Sequence, residues 1–130
     1  MGSLKNSIGI RCAFDPQTKN VYLQTTNGRF IAFSAEGKIL WQKPVGAFMP
    51  RLYQYGYAPS PTIYNVLVIV AADYEGGGHL TAFDRKTGVR KWQTPRPKRL
   101  SYSSPIVAYV AGRDQLLISG CDVVASYDPN

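Results

Sequence analysis

The sequence is poor in the residues that most often mark a reactive centre. Its 130 residues include one histidine, His79, and two cysteines, Cys12 and Cys121. The cysteines stand far apart and form no Cys-x-x-Cys, which removes the usual metal and redox spacings. Cys121 opens an apolar strand, where a thiol acts as a small hydrophobe. His79 has no Ser, Cys or Asp partner at a diagnostic spacing. The Gly76-Gly77-Gly78 run lacks the Lys-Ser/Thr of a phosphate loop and opens no helix. His79 is therefore expected to be structural. No catalytic, cofactor-binding or metal-ligating residue is assigned.

Long apolar runs are also missing. The longest, Val66 to Ala72, has seven residues, against the ~20 that a membrane-spanning helix needs. The N-terminal Met1 to Ser7 carries no hydrophobic region of a secretory signal. Asn6 stands where myristoylation requires Ser or Thr. No segment keeps a 3.6-residue apolar period for three turns, which argues against helices. Acidic residues are few, 8 against 15 basic ones, for a net charge of +7. A basic balance can suit nucleic acid or anionic surfaces. The preferred reading is that one part of a larger, more balanced protein has been sampled.

What is present is strands and turns. Leu80-Thr81-Ala82-Phe83-Asp84 alternates as a strand does. Arg85-Lys86-Thr87-Gly88 is a turn, since Gly88 takes positive φ freely and Asp84 and Thr87 can bond to nearby backbone. Val89 to Thr94 is a second strand carrying Trp92. This hairpin recurs. Ala32 lies 50 residues before Ala82, and Trp41 lies 51 before Trp92. Downstream, Asp128 follows Asp84 by 44 residues, as Ser104-Pro105 follows Ser60-Pro61. A period of this length built of short strands is the signature of a β-propeller blade.

Ala82-x-Asp84-x-x-Thr87-Gly88-x-x-x-Trp92 resembles the repeat motif of the pyrroloquinoline-quinone-like (PQQ-like) propellers, the quinoprotein dehydrogenase-like fold. The first repeat keeps Ala32, Gly37 and Trp41, with Ser34 in place of the Asp. The third reaches Asp128 and Asn130 without a Thr-Gly or a Trp. The resemblance runs from about Cys12 onward and implies an all-β propeller of four-stranded antiparallel blades. About three consecutive blades are present, so the propeller is incomplete. Residues 1–130 are read as part of one domain, with blade units at about 8–43, 58–94 and 101–130, the last truncated. Closure takes about four to eight blades. The chain is thus expected to belong to a longer polypeptide, or to close a ring with further copies of itself.

Within this frame Val21 to Thr26, Arg29 to Ser34 and Ile39 to Lys43 are strands, and Asn27-Gly28 reads as a two-residue hairpin turn. The apolar run from Val66 to Ala72 predicts a strand covered on both faces. Residues 44–59, with Tyr53, Tyr55 and Tyr57, read as a long inter-blade loop that either binds a partner or packs over the propeller face. Pro95-Arg96-Pro97-Lys98-Arg99 reads as an extended link, because prolines do not pair regularly. Asp73 and Glu75 put two carboxylates beside a glycine turn, but lack the further acids of a calcium loop. Seven cations (Arg85, Lys86, Arg90, Lys91, Arg96, Lys98, Arg99) cluster within 15 residues. The spacing is read as a solvated outer strand that blocks edge pairing rather than a nucleic-acid site.

The leading functional reading is a non-catalytic scaffold that presents loops to a protein or ligand. The alternative is a fragment of a quinone-dependent alcohol or sugar dehydrogenase, with its PQQ and calcium site outside this segment. In such dehydrogenases, the resemblance implies, a stacking Trp, acidic calcium ligands and often a disulfide of adjacent cysteines hold the cofactor. None of these carries over to residues of this chain. The resemblance also implies a periplasmic or secreted bacterial protein. Asp84, Thr87, Gly88 and Trp92 are read as packing and turn residues. Trp92→Ala is accordingly expected to destabilise the fold by roughly 3–5 kcal/mol. Unchanged melting of that variant would show that Trp92 does not pack.

Overall fold

The computed structural model describes residues 11–46, 59–74, 76–120 and 122–130. These form eleven strands and, among the described residues, no helix. The first sheet contains β1 (Arg11–Phe14), β2 (Val21–Gln24), β3 (Arg29–Phe33) and β4 (Ile39–Pro44). The second contains β5 (Thr62–Tyr64), β6 (Leu67–Ala72), β7 (Gly78–Asp84) and β8 (Arg90–Arg96). The third contains β9 (Ile106–Val110), β10 (Arg113–Gly120) and β11 (Val123–Tyr127). Each sheet is an antiparallel meander in chain order. Together they make an open array, a partial β-propeller.

The repeat extends to fine detail. Ala32 faces Trp41 and Phe33 faces Ile39, so Leu40 is an extra residue in β4. Ala82 faces Trp92 and Phe83 faces Arg90, which makes Lys91 the same extra residue in β8. A bulge increases local twist and re-aims side chains. Here it falls beside the tryptophan in both sheets.

The sheets pack face to face, as the apolar run predicts. All six residues of β6 are buried. Val68 and Val70 point to the first sheet, where they join Tyr22, Phe30, Ala32, Trp41, Val45 and Phe83. Leu67, Ile69 and Ala71 point to the third sheet and meet Leu80, Ala82, Leu116 and Ile118. Four rings, Tyr22, Phe30, Trp41 and Phe83, fill the first junction with centroids 5.5–6.3 Å apart. Trp92 is half-buried against the second junction. That exposure puts the cost of removing it at the lower end of the expected range, about 3 kcal/mol.

Turn chemistry locks the first junction. Asp84 Oδ1 accepts from the amides of Lys86 at 3.0 Å and Thr87 at 2.9 Å. Gly88 closes the turn by donating to the Asp84 carbonyl, 2.8 Å, at φ +73°. A Cβ on Gly88 would lie 2.7 Å from Cδ2 of Trp41, so the turn rests directly on the indole. Beneath it the Arg85 carbonyl accepts from Tyr22 Oη at 2.9 Å and from Trp41 Nε1 at 3.3 Å. The Arg85 side chain reaches back to Asp15, 3.0 Å away, whose own turn is held by Thr18 and the Gln17 amide. Asp84, Gly88 and the Trp are thus packing residues, and Ser34 replaces the Asp in the first sheet by accepting from the amides of Glu36 and Lys38.

Two local expectations are corrected. Asn27-Gly28 is not a two-residue turn. Thr25 pairs with Arg29 around three residues, and only Gly28 has positive φ. This is the type I turn with a left-handed glycine that makes three-residue hairpins. Residues 95–96 are not a link, because β8 continues through Pro95, opposite His79, to Arg96, opposite Gly78. Proline is tolerated there because β8 is the edge strand of its sheet.

Two predictions follow from the junction. Gly37 and Gly88 both have φ near +80°, but nothing lies within 4 Å of a Cβ at Gly37. Ala at either position costs about 1 kcal/mol of backbone strain. Gly88→Ala should cost roughly 1–3 kcal/mol more than Gly37→Ala, from its collision with Trp41. Urea unfolding of the two variants measures that difference. The second concerns acid. Burial pushes the Asp15 carboxyl up, but Thr18, the Gln17 amide and Arg85 together hold it below the usual range. Asp84 is held low first by the Thr87 amide, against a smaller effect of burial and with help from Lys86. Both favour folding only when ionised. Their contribution is complete above about pH 4, the unfolded value, and is lost as pH falls through the lower folded values. Melting temperature should drop steeply below about pH 4, and Asp84→Asn should flatten that drop.

Candidate interaction surface

The polar residues singled out in the sequence separate in space. Asp73 is buried and bound to Arg96, with Arg96 Nη2 to Asp73 Oδ2 at 2.9 Å and Nε to Oδ1 at 3.0 Å. Burying two charges is tolerable when geometry is good and further hydrogen bonds satisfy them. Arg96 meets that condition. Its Nη1 donates to Tyr127 Oη at 3.3 Å, and its guanidinium lies 5.9 Å from the Tyr127 ring centroid. The Asp73 carboxylate is therefore engaged by an arginine. Glu75 lies outside the described residues. His79 is half-buried in β7, opposite Ala72 and Pro95, and joins no such network.

The seven cations do not form one stripe. Arg96 is buried at the second junction and Arg85 is tied to Asp15 at the first. This corrects the reading of the whole group as a solvated strand. Arg99 lies 3.7 Å from Asp122, both exposed, and Lys86, Arg90, Lys91 and Lys98 are exposed. What remains is a dispersed basic rim along β8 and the segment after it.

A crevice opens beside the buried pair. Asp73, Arg96, Pro97, Arg99, Ser101 and Gly120 contribute to its walls around a space of about 10 Å³. That is room for about one water molecule. It has the size of a solvation site at a blade junction rather than of a substrate pocket.

Larger surfaces lie at the two ends of the array. On the third sheet Ile106, Leu117 and Ser126 stand opposite one another across β9, β10 and β11. They share the face away from the buried Leu116 and Ile118. Ile106 is 57% exposed and Val124 79%. On the first sheet Phe14, Ile39 and Leu40 are exposed. Cys12 is a free, exposed thiol on β1, and Cys121 lies outside the described residues. The tyrosine-rich loop at 44–59, read as either binding a partner or packing over the propeller face, falls mainly on residues 47–58, also outside the described residues.

The buried polar contacts were the part sequence reasoning missed, both the Asp73–Arg96 pair within the second sheet and the reach of Arg96 to Tyr127 in the third. Asp73 and Arg96 are separated by 23 residues. The available signal was positional. Arg96 sits four residues after Trp92, as the buried Val45 sits four after Trp41. Among the described residues no three His, Cys, Asp or Glu side chains converge. The carboxylate set and paired cysteines that a bound quinone and calcium would call for are not assembled by these residues, so none is assigned to that cofactor.

The fold and its matches agree. A family model described as outer membrane protein assembly factor BamB matches residues 5–129. The crystal structure of BamB from Moraxella catarrhalis superposes with a TM-score of 0.64 at 19% identity, covering 98% of this chain and 35% of that one. A europium-containing methanol dehydrogenase superposes with a TM-score of 0.51 at 22% identity, covering 69% of this chain and 15% of that one. No curated protein sequence matches. This chain spans about a third of the length of the BamB structure, and identities this low speak for the fold alone. On the family match, which covers nearly all of its residues, the chain belongs to the BamB family of PQQ-like β-propellers.

Proposed function

We propose that the chain is part of a non-catalytic β-propeller scaffold that acts in the assembly of outer-membrane proteins by binding other proteins. The family match over residues 5–129 carries this reading. The geometry supports it. The buried ion pairs Asp15–Arg85 and Asp73–Arg96 brace the blades on which exposed turns are mounted. Exposed turns and sheet ends are the parts available for contact, and such connecting segments on a rigid scaffold are where binding concentrates. The reading places the protein at the outer membrane or in the periplasm. No helix among the described residues is long and apolar enough to cross a membrane.

The test uses the native full-length protein in its source cells. Deleting it should lower the amount of β-barrel protein in the outer membrane, and the native chain should restore that amount. Crosslinking in envelope fractions should capture a protein partner. Unchanged outer-membrane protein levels, together with dye-linked alcohol or sugar oxidation by the purified protein reconstituted with quinone and calcium, would replace the scaffold with the dehydrogenase reading. A propeller hosts both kinds of function, so the activity assay is the arm that separates them.

A further inference from the structure

We infer that the paired hairpin tips at the outer edge of the first two sheets form a docking surface for an anionic lipid bilayer. Three residues precede the tryptophan at each tip: Lys38-Ile39-Leu40 before Trp41, and Val89-Arg90-Lys91 before Trp92. All six are exposed. Ile39, Leu40 and Val89 are 53%, 44% and 55% exposed. The two triplets correspond in place. Phe33 faces Ile39 as Phe83 faces Arg90, and Leu40 and Lys91 are the extra residues of the two bulges. Each tip thus presents aliphatic and cationic side chains together.

The tips are also held side by side. Gly88 rests on the Trp41 indole, and Trp41 Nε1 donates to the Arg85 carbonyl at 3.3 Å. The turn that leads into Val89 is thereby fixed against the strand that begins at Ile39. Lys86, in that turn, is exposed and adds a fourth cation. Two carboxylates lie in the same turns, and each is occupied locally. Asp84 accepts from the amides of Lys86 and Thr87, and Glu36 accepts from Ser34 Oγ at 2.7 Å. The cations outnumber them four to two.

This composition selects the partner. Protein interfaces are enriched in aromatic residues and arginine and depleted in lysine. Here three of the four cations are lysines, and the aromatic residues of β4 and β8, Trp41 and Trp92, are turned toward the junctions. Single-stranded nucleic acid calls for exposed rings on which bases stack, and it leaves Ile39, Leu40 and Val89 without a role. A bilayer uses both halves of the surface. Aliphatic side chains enter the headgroup boundary while lysine and arginine meet the lipid phosphates. The long stems of those cations also lie along apolar surface while their charge stays in the headgroup layer. A fluid surface needs no pocket, and the described crevice lies elsewhere, at Asp73 and Arg96. The far ends of the same hairpins differ. Arg29, opposite Pro44, and Lys98, two residues beyond Arg96, are exposed cations, but the nearby aliphatic Val45 is buried.

The inference stands apart from the scaffold reading, and its failure would leave that reading intact. The test is cosedimentation of the native full-length protein with vesicles of phosphatidylcholine alone or mixed equally with phosphatidylglycerol. The mixed vesicles should bind it at least about tenfold more tightly, and added salt should shrink that margin. Arg90→Glu with Lys91→Glu should erase most of the margin. Arg29→Glu with Lys98→Glu makes the same change of net charge at the far ends and should alter binding by less than about twofold. Ile39→Ser with Leu40→Ser should weaken binding to mixed vesicles severalfold, at high salt as well as low. All six substituted side chains are exposed, so melting should be unchanged. Equal binding to the two kinds of vesicle, equal losses from the two charge reversals, or no effect of the serine pair would each overturn the inference. It is also overturned if Arg90→Glu with Lys91→Glu abolishes capture of a protein partner and leaves vesicle binding unchanged, which would assign the tips to that partner.

Discussion

One carbonyl oxygen, that of Arg85, holds the first junction in register. It takes two donors, the Tyr22 hydroxyl and the Trp41 indole, and so uses both of its lone pairs. Each donor belongs to the sheet before it. The oxygen can be placed there only if Asp84 folds the turn back on itself and Gly88 lets the turn descend onto the ring. The side chain of the same residue then ties down the Asp15 turn. A single turn therefore sets the distance between two sheets, the orientation of an indole and the placement of a buried charge. The grip has a direction: the turn of the second sheet closes on the tryptophan of the first. Repeats that interact only with their neighbours gain stability junction by junction, and at the first junction the turn is where that increment is made.

Most of the backbone was legible in the sequence because strand formation here is decided by short-range pattern. The run from Val66 to Ala72 has no polar face, and β6 is covered on both sides. The recurrence of Ala32 and Trp41 at Ala82 and Trp92 located the hairpins, and even the extra residue beside each tryptophan repeats. The misreadings share one cause. Proline at position 95 suggests a break in pairing, but a missing N–H matters only where a neighbour would accept it, and β8 is an edge strand. Whether a strand is central or marginal is a property of the sheet. Likewise Asn27-Gly28 suits a two-residue turn by composition, and the pairing of Thr25 with Arg29 overrode it.

The polar interior was the illegible part. In the sequence Arg96 is one of seven clustered cations, and Asp73 one of two carboxylates beside glycines. Nothing local distinguishes Arg96 from Lys98. The difference arises because position 96 ends β8 pointing into the second junction, where Asp73 and Tyr127 converge on it. The two junctions are also solved with different chemistry. The first carries a cluster of four aromatic rings and an ion pair at one turn. The second carries aliphatic residues and places its ion pair at the strand end. Repeats alike in strand order and in the place of the tryptophan thus differ in the place and chemistry of their polar contacts, which period alone does not reveal.

That division bears on how a fold of this kind is put to use. Several buried polar groups are here committed to holding strands and sheets together. Asp15 is bound by Arg85, Asp73 by Arg96, and Gln24 Nε2 by the Ala71 carbonyl. Such commitments make the junctions stiff, and a stiff junction fixes the spacing of everything mounted on it. Under the scaffold reading this stiffness is the useful property. A binding surface built from separate turns keeps its shape only if the sheets beneath do not slide, since a partner that must order the surface itself loses affinity in doing so. Stability and recognition then draw on different residues, with the buried pairs serving the first and the exposed turns and rim serving the second. Substitutions on the rim can change which partner is bound while the Arg85 clamp continues to hold the first two sheets.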